Sequence, residues 1–179
     1  MYAPYDQPTY EAVLEMLKPE DIVLDIGAGD LRCSRQMARI VRKVYAVEIN
    51  EWVLKQALRS RDPLPDHLIP IHANAQAFNF PGDVTTGVLL MRHCTHFRLY
   101  AERLRNIGAM RLITNARWRM SVEEVDLLAE PTTFSKIGMG WYACQCGATG
   151  FKEGPADQWS TELDRVIHEV TDCPQCQQI

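Results

Sequence analysis

Short apolar runs alternate with amphipathic segments along most of the chain. The apolar runs have the length of buried strands and occupy residues 22–26, 44–47, 68–73, 87–91 and 109–114. Before and between them, apolar residues recur with helical spacing in residues 9–17, 30–42, 50–58 and 97–106. This alternation predicts an α/β fold built on a parallel sheet.

The last third of the chain carries different local signals. Ser121 and Glu124 have the spacing of a capping box, which predicts a helix over residues 121–128. Residues 141–143 and 166–170 are rich in aromatic and β-branched side chains, which predicts two more strands.

A glycine-rich turn follows the first apolar run. Asp25 stands near the end of that run, and Gly27 and Gly29 follow at alternate positions. Glycine can adopt positive φ and lets the backbone approach a ligand, while the next helix start presents unpaired N–H groups. The second run ends at Glu48, 23 positions after Asp25, where a carboxylate can accept both hydroxyls of a ribose. The spacing therefore predicts a nucleotide-binding turn.

Residues 24–29 and 47–50 resemble the first two motifs of class I S-adenosylmethionine-dependent methyltransferases. An NAD-binding fingerprint would instead need glycine at Arg32 and no acid at the end of the first strand. The resemblance covers roughly residues 10–130. It implies a doubly wound, Rossmann-like methyltransferase fold that binds S-adenosyl-L-methionine. Leu31 departs from the pattern, since many members of this family have a third glycine there.

The resemblance also implies which residues bind the cofactor. Residues 27–29 would hold it along the turn, and Glu48 would bind the ribose. Adenine would lie against residues 74–75, where the Asn74 carbonyl oxygen can accept from its amino group. Asp25 would order the turn and face the methionine amino group through water. The full expected set is Asp25, Gly27, Ala28, Gly29, Glu48, Ile49, Asn74, Ala75 and Arg92.

Two further regions adjoin the expected cofactor site. Tyr5 lies before the first helix and Tyr10 lies in it. Both side chains are equally compatible with ligand contact and with a core role. The loop after the fourth strand contains His93, Cys94 and His96. His93 is the candidate catalytic residue, because it could serve as a base for the methyl acceptor. The resemblance implies the alternative, in which His93 only lines the cofactor pocket. The loop lacks the motifs of enzymes that methylate DNA bases, which disfavours that class of acceptor.

The composition is that of a globular protein with 179 residues, 46% hydrophobic and 23% charged. The N-terminus resembles no signal peptide, so we expect a cytoplasmic protein without membrane contact. The net charge of −4 arises in the tail, because residues 138–179 hold six acids against two bases. Such a surface favours a protein or small-molecule acceptor over nucleic acid.

Four of the six cysteines crowd into the tail as two pairs, separated by 26 residues. Each pair resembles a zinc knuckle, and four thiolates make a closed tetrahedral site, which predicts structural rather than catalytic zinc. A dithiol redox role of Cys173 and Cys176 is the alternative. The resemblance implies an antiparallel hairpin after the fifth strand, for which residues 141–143 and 166–170 are the available segments. The zinc element would replace or decorate that hairpin. The expected ligands are Cys144, Cys146, Cys173 and Cys176.

These observations give an expected organisation and function. Residues 1–137 would bind S-adenosylmethionine, and residues 138–179 would form a zinc-ribbon-like extension that stabilises the fold or binds a macromolecular partner. The leading hypothesis is a methyltransferase whose acceptor the sequence does not identify. The alternative is a non-catalytic zinc-ribbon adaptor or sensor with a vestigial nucleotide-binding scaffold.

Overall fold

A six-stranded sheet with helices on both faces forms the larger part of the structure. The structure, a computed structural model, describes residues 3–60, 62–117 and 121–178. The strands are β1 (Ile22–Ile26), β2 (Lys43–Glu48), β3 (Leu68–His72), β4 (Thr86–Leu89), β5 (Arg111–Thr114) and β6 (Glu123–Asp126). The helices are α1 (Gln7–Glu15), α2 (Arg32–Met37), α3 (Glu51–Leu58) and α4 (Phe97–Asn106).

The strand order is β3-β2-β1-β4-β5-β6, and every neighbouring pair is parallel except β5 and β6. Because side chains alternate across a strand, the sheet has two apolar faces. One face packs against α1, α2 and α3, with Val23, Val44 and Val88 at its centre. The other face packs against α4 through Leu24 and Leu112. This arrangement confirms the expected doubly wound, mostly parallel α/β fold.

The helix expected over residues 121–128 is wrong, because the central part of that segment is β6. Val125 and Leu127 are buried against the α4 side of the sheet, while Glu124 lies on the opposite face. This alternation suits a strand, and β5 offers an open edge for antiparallel pairing. Tertiary pairing therefore overrides the local capping signal. Among the described residues no helix is long and apolar enough to cross a membrane.

A buried charged network closes the amino end of the sheet. Arg111, at the start of β5, donates to the Asp21 carboxylate over 2.7 Å and to the backbone oxygen of Met16 over 3.0 Å. It also pairs with Glu124 of β6. Asp21 accepts a further bond of 2.9 Å from the Thr86 hydroxyl of β4. The network therefore connects β1, β4, β5 and β6 at the edge opposite the glycine turn.

A separate three-stranded sheet follows, with order β8-β7-β9. It consists of β7 (Gly140–Cys144), β8 (Thr149–Lys152) and β9 (Ile167–Val170). The expected hairpin of residues 141–143 with 166–170 is wrong, because β7 and β9 pair in parallel and β8 is the antiparallel partner of β7. The antiparallel strand of the large sheet is instead β6. The apolar core of the small sheet also includes Phe134 and Ile137.

Candidate functional site

The glycine turn lies between β1 and α2, at the carboxyl end of the sheet. Gly27 and Gly29 have φ values of 80° and 58°. The N–H groups of Gly27 and Ala28 donate to the Val47 oxygen of β2 over 2.9 and 3.0 Å. Leu31 also has a positive φ, 64°, and its side chain is fully buried. Leu31 therefore adopts the left-handed conformation that glycine would adopt more easily. Helix α2 begins after it, at Arg32 and not at Asp30 as the periodicity predicted.

Glu48 ends β2 and connects the turn to α3. Its carboxylate accepts from the Gly29 N–H over 2.8 Å and from the Asn50 N–H over 2.7 Å. These bonds fix a buried carboxylate, and each oxygen keeps a lone pair for a further donor.

Asp25 lies in the sheet beneath the turn. The Ser34 hydroxyl of α2 donates to its carboxylate over 2.6 Å. Burial raises the pKa of Asp25 to about 6, the Ser34 bond opposes this, and the nearby Glu48 carboxylate adds to it. The side chain therefore orders the turn from below. As far as the described residues show, it does not line either of the two cavities described next.

Two adjoining cavities open at this end of the sheet. The first measures about 310 Å³ and the second about 160 Å³, and both are lined by Gly27, Ile49 and Met91. The other walls of the first cavity are Ala3, Tyr5, Tyr10, Ala28, Cys33, Glu48, Leu90 and Arg92. Those of the second are Ile26, Val47, Ala73, Asn74, Ala75, Gln76, His96 and Tyr100.

The cavities bring together most of the residues expected from the sequence. Gly29 contributes through its bond to Glu48, and Asn74 already accepts from the Gln76 N–H over 2.9 Å. The sequence did not point to Met91 or Tyr100. These residues reach the site through the packing of β4 and α4, which no local motif encodes.

The N-terminal segment covers the first cavity. The Arg92 backbone N–H donates to the Tyr5 hydroxyl over 2.9 Å, and the Arg92 guanidinium lies 5.0 Å from the centre of the Tyr5 ring. The Nε atom of Arg92 is buried without a hydrogen-bond partner in the described structure. A buried donor of this kind can donate to an anionic ligand group at little further desolvation cost.

His93 follows Arg92 in the loop after β4. It has a φ of 62°, its side chain is exposed, and it is absent from the walls of both cavities, as far as the described residues show. His96 instead contributes to the second cavity, and its Nδ1 is 2.9 Å from the Thr95 hydroxyl. The catalytic role assigned to His93 stays a prediction.

Asn115, just after β5, is also at the carboxyl end of the sheet. It is 1% exposed, and neither its amide nitrogen nor its amide oxygen has a hydrogen-bond partner among the described atoms. No local pattern along the chain points to this residue.

The four tail cysteines form one cluster beside the small sheet. All four sulfurs lie within 4.8 Å of one another, with approaches of 3.5 Å for Cys144–Cys176 and 3.7 Å for Cys146–Cys173. Tetrahedral thiolates about 2.3 Å from zinc would stand about 3.8 Å apart. The cluster therefore has the dimensions of a four-thiolate metal site.

The electrostatics of the cluster differ from one thiol to another. Burial raises the pKa of the Cys144 thiol. At Cys176 burial acts in the same direction, but hydrogen bonds from the Cys173 backbone and the neighbouring thiols outweigh it and lower the pKa to about 7. Metal ligation would draw the remaining thiols to the thiolate form.

The cysteine cluster contacts the start of α4. A Cβ added to Gly147 would stand 3.1 Å from the Cβ of Phe97, so the turn after Cys146 packs closely on that ring. The Arg98 Nη2 lies 3.7 Å from the Cys176 sulfur. The cluster thus borders the helix that contributes Tyr100 to the second cavity.

Arg117 joins the two sheets. Its guanidinium pairs with Glu123 of β6 over 2.7 Å and with Glu169 of β9 over 2.6 Å, and it lies 5.1 Å from the centre of the Phe97 ring. Burial opposes the charge, but the bonds to Glu169 and Glu123 outweigh it and raise the pKa of Arg117.

Comparison with known sequence families and with curated proteins found no match. Solved structures do match. The precorrin-8w decarboxylase of Methanobacterium thermoautotrophicum has a TM-score of 0.53 and 19% identity over 63% of this chain and 64% of its own. The 23S rRNA methyltransferase ErmE has a TM-score of 0.54 and 18% identity over 62% of this chain and 46% of its own.

A third match is phosphoethanolamine N-methyltransferase 1 of Haemonchus contortus, solved with phosphoethanolamine and S-adenosylhomocysteine. Its TM-score is 0.52, with 16% identity over 62% of this chain and 26% of its own. The chain thus spans less than two thirds of each of these proteins. The likeness is one of architecture: the chain has the Rossmann-like fold of class I S-adenosylmethionine-dependent methyltransferases, with a cysteine cluster near its C-terminus.

Proposed function

We propose that this chain is an S-adenosylmethionine-dependent methyltransferase. The observation that carries the proposal is the pair of adjoining cavities at the carboxyl ends of the strands, where the glycine turn and the Glu48 carboxylate meet. Ligands of open α/β sheets bind at this edge. The acceptor is proposed to be a protein or a small molecule, since the net negative charge opposes nucleic acid.

The chemistry of the cavity walls supports this cofactor. The smaller cavity has apolar walls from Ile26, Val47 and Tyr100 with the Asn74 amide at its rim, which suits a planar base with an amino group. Glu48 lies in the wall of the larger cavity with free lone pairs, which suits the hydroxyls of a ribose. We therefore assign adenine to the smaller cavity and the rest of the cofactor to the larger one.

Arg92 would bind the carboxylate of the methionine part. Its buried Nε donor has no partner within the described part of the chain, and a carboxylate is the acceptor that a guanidinium binds best. Tyr5 would hold the Arg92 backbone in place through the bond to its hydroxyl. The N-terminal segment would then act as a cover that excludes water.

The bound cofactor would supply an electrophilic methyl group on a sulfonium. The chain would contribute mainly by holding the acceptor in line with that group. The exposed His93 would meet the acceptor at the mouth of the site rather than the cofactor inside it, where it could take up a proton from an acceptor oxygen or nitrogen.

We further propose that Cys144, Cys146, Cys173 and Cys176 hold a structural zinc ion within the extension formed by residues 138–179. The support is the sulfur spacing and the burial of two of the four thiols. Metal analysis of the purified protein should find one zinc per chain, and Cys146→Ser should reduce that content. A metal-free, fully folded chain would contradict this assignment.

Calorimetric titration with S-adenosylhomocysteine tests the methyltransferase proposal. We expect a Kd in the micromolar range or below, about −8 kcal/mol or better. Glu48→Ala should weaken it by at least about tenfold, whereas Glu51→Ala, on the exposed start of α3, should leave it unchanged. Absence of binding by folded, zinc-loaded protein would refute the proposal and favour the adaptor hypothesis.

A further inference from the structure

The small sheet has one face turned away from the cysteine cluster. Directly paired residues of neighbouring strands project to the same side, so the register places Phe151, Trp141 and Ile167 in one row across β8, β7 and β9. Tyr142 and Cys144 project to the opposite face, into the core beside the cluster. Trp141 and Phe151 pack edge to face with ring centres 5.2 Å apart. Ile167, at the edge of the row, is 47% exposed.

An open groove of about 490 Å³ continues this row beyond β8. We call it the aromatic groove and define it by its walls, which are Met139, Phe151, Glu153, Gly154, Ala156 and Trp159. A Cβ on Gly154 would stand 2.8 Å from the Met139 Cβ. Only a glycine therefore lets the backbone at residue 154 pack this closely on Met139. Trp159 is 55% exposed and stands in this wall, so its ring is accessible from the groove.

Acidic residues outnumber basic ones around the aromatic groove, with four acids against two bases in residues 152–165. Glu153 is the charged member of its wall, and Asp157 and Glu162 are exposed nearby in the chain. None of these three acids forms an ion pair with another described residue. The neighbouring Lys152 keeps its charge but pairs with none of these acids, because its ammonium donates to the backbone oxygens of Phe134, Ser135 and Ile137.

We propose that the aromatic groove binds a basic segment of a partner protein. An arginine or lysine side chain of the partner would lay its aliphatic part along Trp159 and Phe151 and place its charge beside Glu153. Aromatic faces attract cations, and long basic side chains bury their stems on apolar surface. The acidic rim adds long-range attraction for a basic polypeptide and repels the phosphates of RNA. This surface is independent of the cofactor site.

The test uses the zinc-loaded chain of 179 residues and a fluorescein-labelled peptide of alternating arginine and glycine. Fluorescence anisotropy at low ionic strength should show saturable binding that weakens as salt is added. Trp159→Ala and Glu153→Gln should each weaken it by about tenfold. Trp52→Ala, which removes another exposed tryptophan on α3, and Glu20→Gln, which removes an exposed acid, should have no effect.

Both key variants change exposed side chains, so the fold should persist, and unchanged thermal unfolding confirms this. Three outcomes would overturn the proposal. The peptide could fail to bind, it could bind Trp159→Ala and wild type equally, or a single-stranded oligouridine could bind the wild type but not Trp159→Ala. The last result would identify RNA as the partner.

Discussion

Asp25 offers a prediction whose size follows from the structure. Its folded-state pKa is about 6, against 3.8 for a free aspartate, because burial disfavours the charged form. Each pKa unit corresponds to about 1.4 kcal/mol, so ionisation of Asp25 lowers the free energy of unfolding by about 3 kcal/mol. Asp25→Asn removes this cost while keeping an oxygen that can accept from the Ser34 hydroxyl.

The sign of the pH dependence follows from proton binding. Because the pKa is raised on folding, the folded state retains the proton more tightly than the unfolded state does. The stabilising effect of the proton is complete below pH 3.8 and is lost as the pH rises through about 6. The free energy of unfolding of Asp25→Asn minus that of wild type should therefore increase by about 3 kcal/mol across this interval and then level off.

Urea denaturation monitored by tryptophan fluorescence at a series of pH values measures this difference. A buried amide nitrogen without a partner would lower the stability of Asp25→Asn by about 1–3 kcal/mol at every pH. That loss displaces the whole curve but leaves its pH-dependent rise unchanged. The effects of carboxylates remote from Asp25 cancel between the two proteins, whereas the repulsion from Glu48 is part of the rise itself. A difference that stays flat, or that falls as the pH rises, would refute the raised pKa.

Three other predictions concern packing, charge and metal. Gly87→Ala would place a Cβ 2.4 Å from the buried Leu104 Cδ1 and should lower the free energy of unfolding by about 1–3 kcal/mol in urea denaturation. Gly82→Ala, with open space around it, is the control and should change stability by less than about 1 kcal/mol. Arg117→Met should lower the free energy of unfolding by about 2–4 kcal/mol, because it leaves the carboxylates of Glu123 and Glu169 without their partner. Converting both glutamates to glutamines in that variant should recover part of the loss, and no recovery would contradict the pairing. Chelation of zinc should lower the thermal midpoint measured by circular dichroism, and added zinc should restore it, whereas an unchanged midpoint would exclude a stabilising metal.

The sequence predicted the parts of the fold that local patterns determine. The strands β1 and β2 are buried on both faces and therefore appear as continuous apolar runs. The periodicity also gave the bounds of α4 correctly. Residues 121–128 and the pairing of residues 141–143 with 166–170 were predicted wrongly, because strand partners and direction depend on distant segments. Val125 shows this, since its burial requires the edge of β5.

The same distinction applies to the candidate site. Gly27, Glu48 and Asn74 were identified because each lies at or just after the end of a strand at a recognisable spacing. The structure places them around adjoining cavities. The contact of Tyr5 with Arg92 joins positions 87 residues apart and has no local signature. The left-handed conformation of Leu31 likewise could not be predicted from local patterns, because it depends on how a buried side chain packs.

The two ends of the large sheet differ in how fully their polar groups are satisfied. At the amino end, the carboxylate of Asp21 and the guanidinium of Arg111 each have several partners. At the carboxyl end, the buried donor of Arg92 and both amide atoms of Asn115 have none within the described residues. A ligand that supplies a missing partner recovers about 1–3 kcal/mol per group. The amino end is therefore the place to adjust stability by substitution, and the carboxyl end carries a hydrogen-bond deficit that a bound ligand can remove.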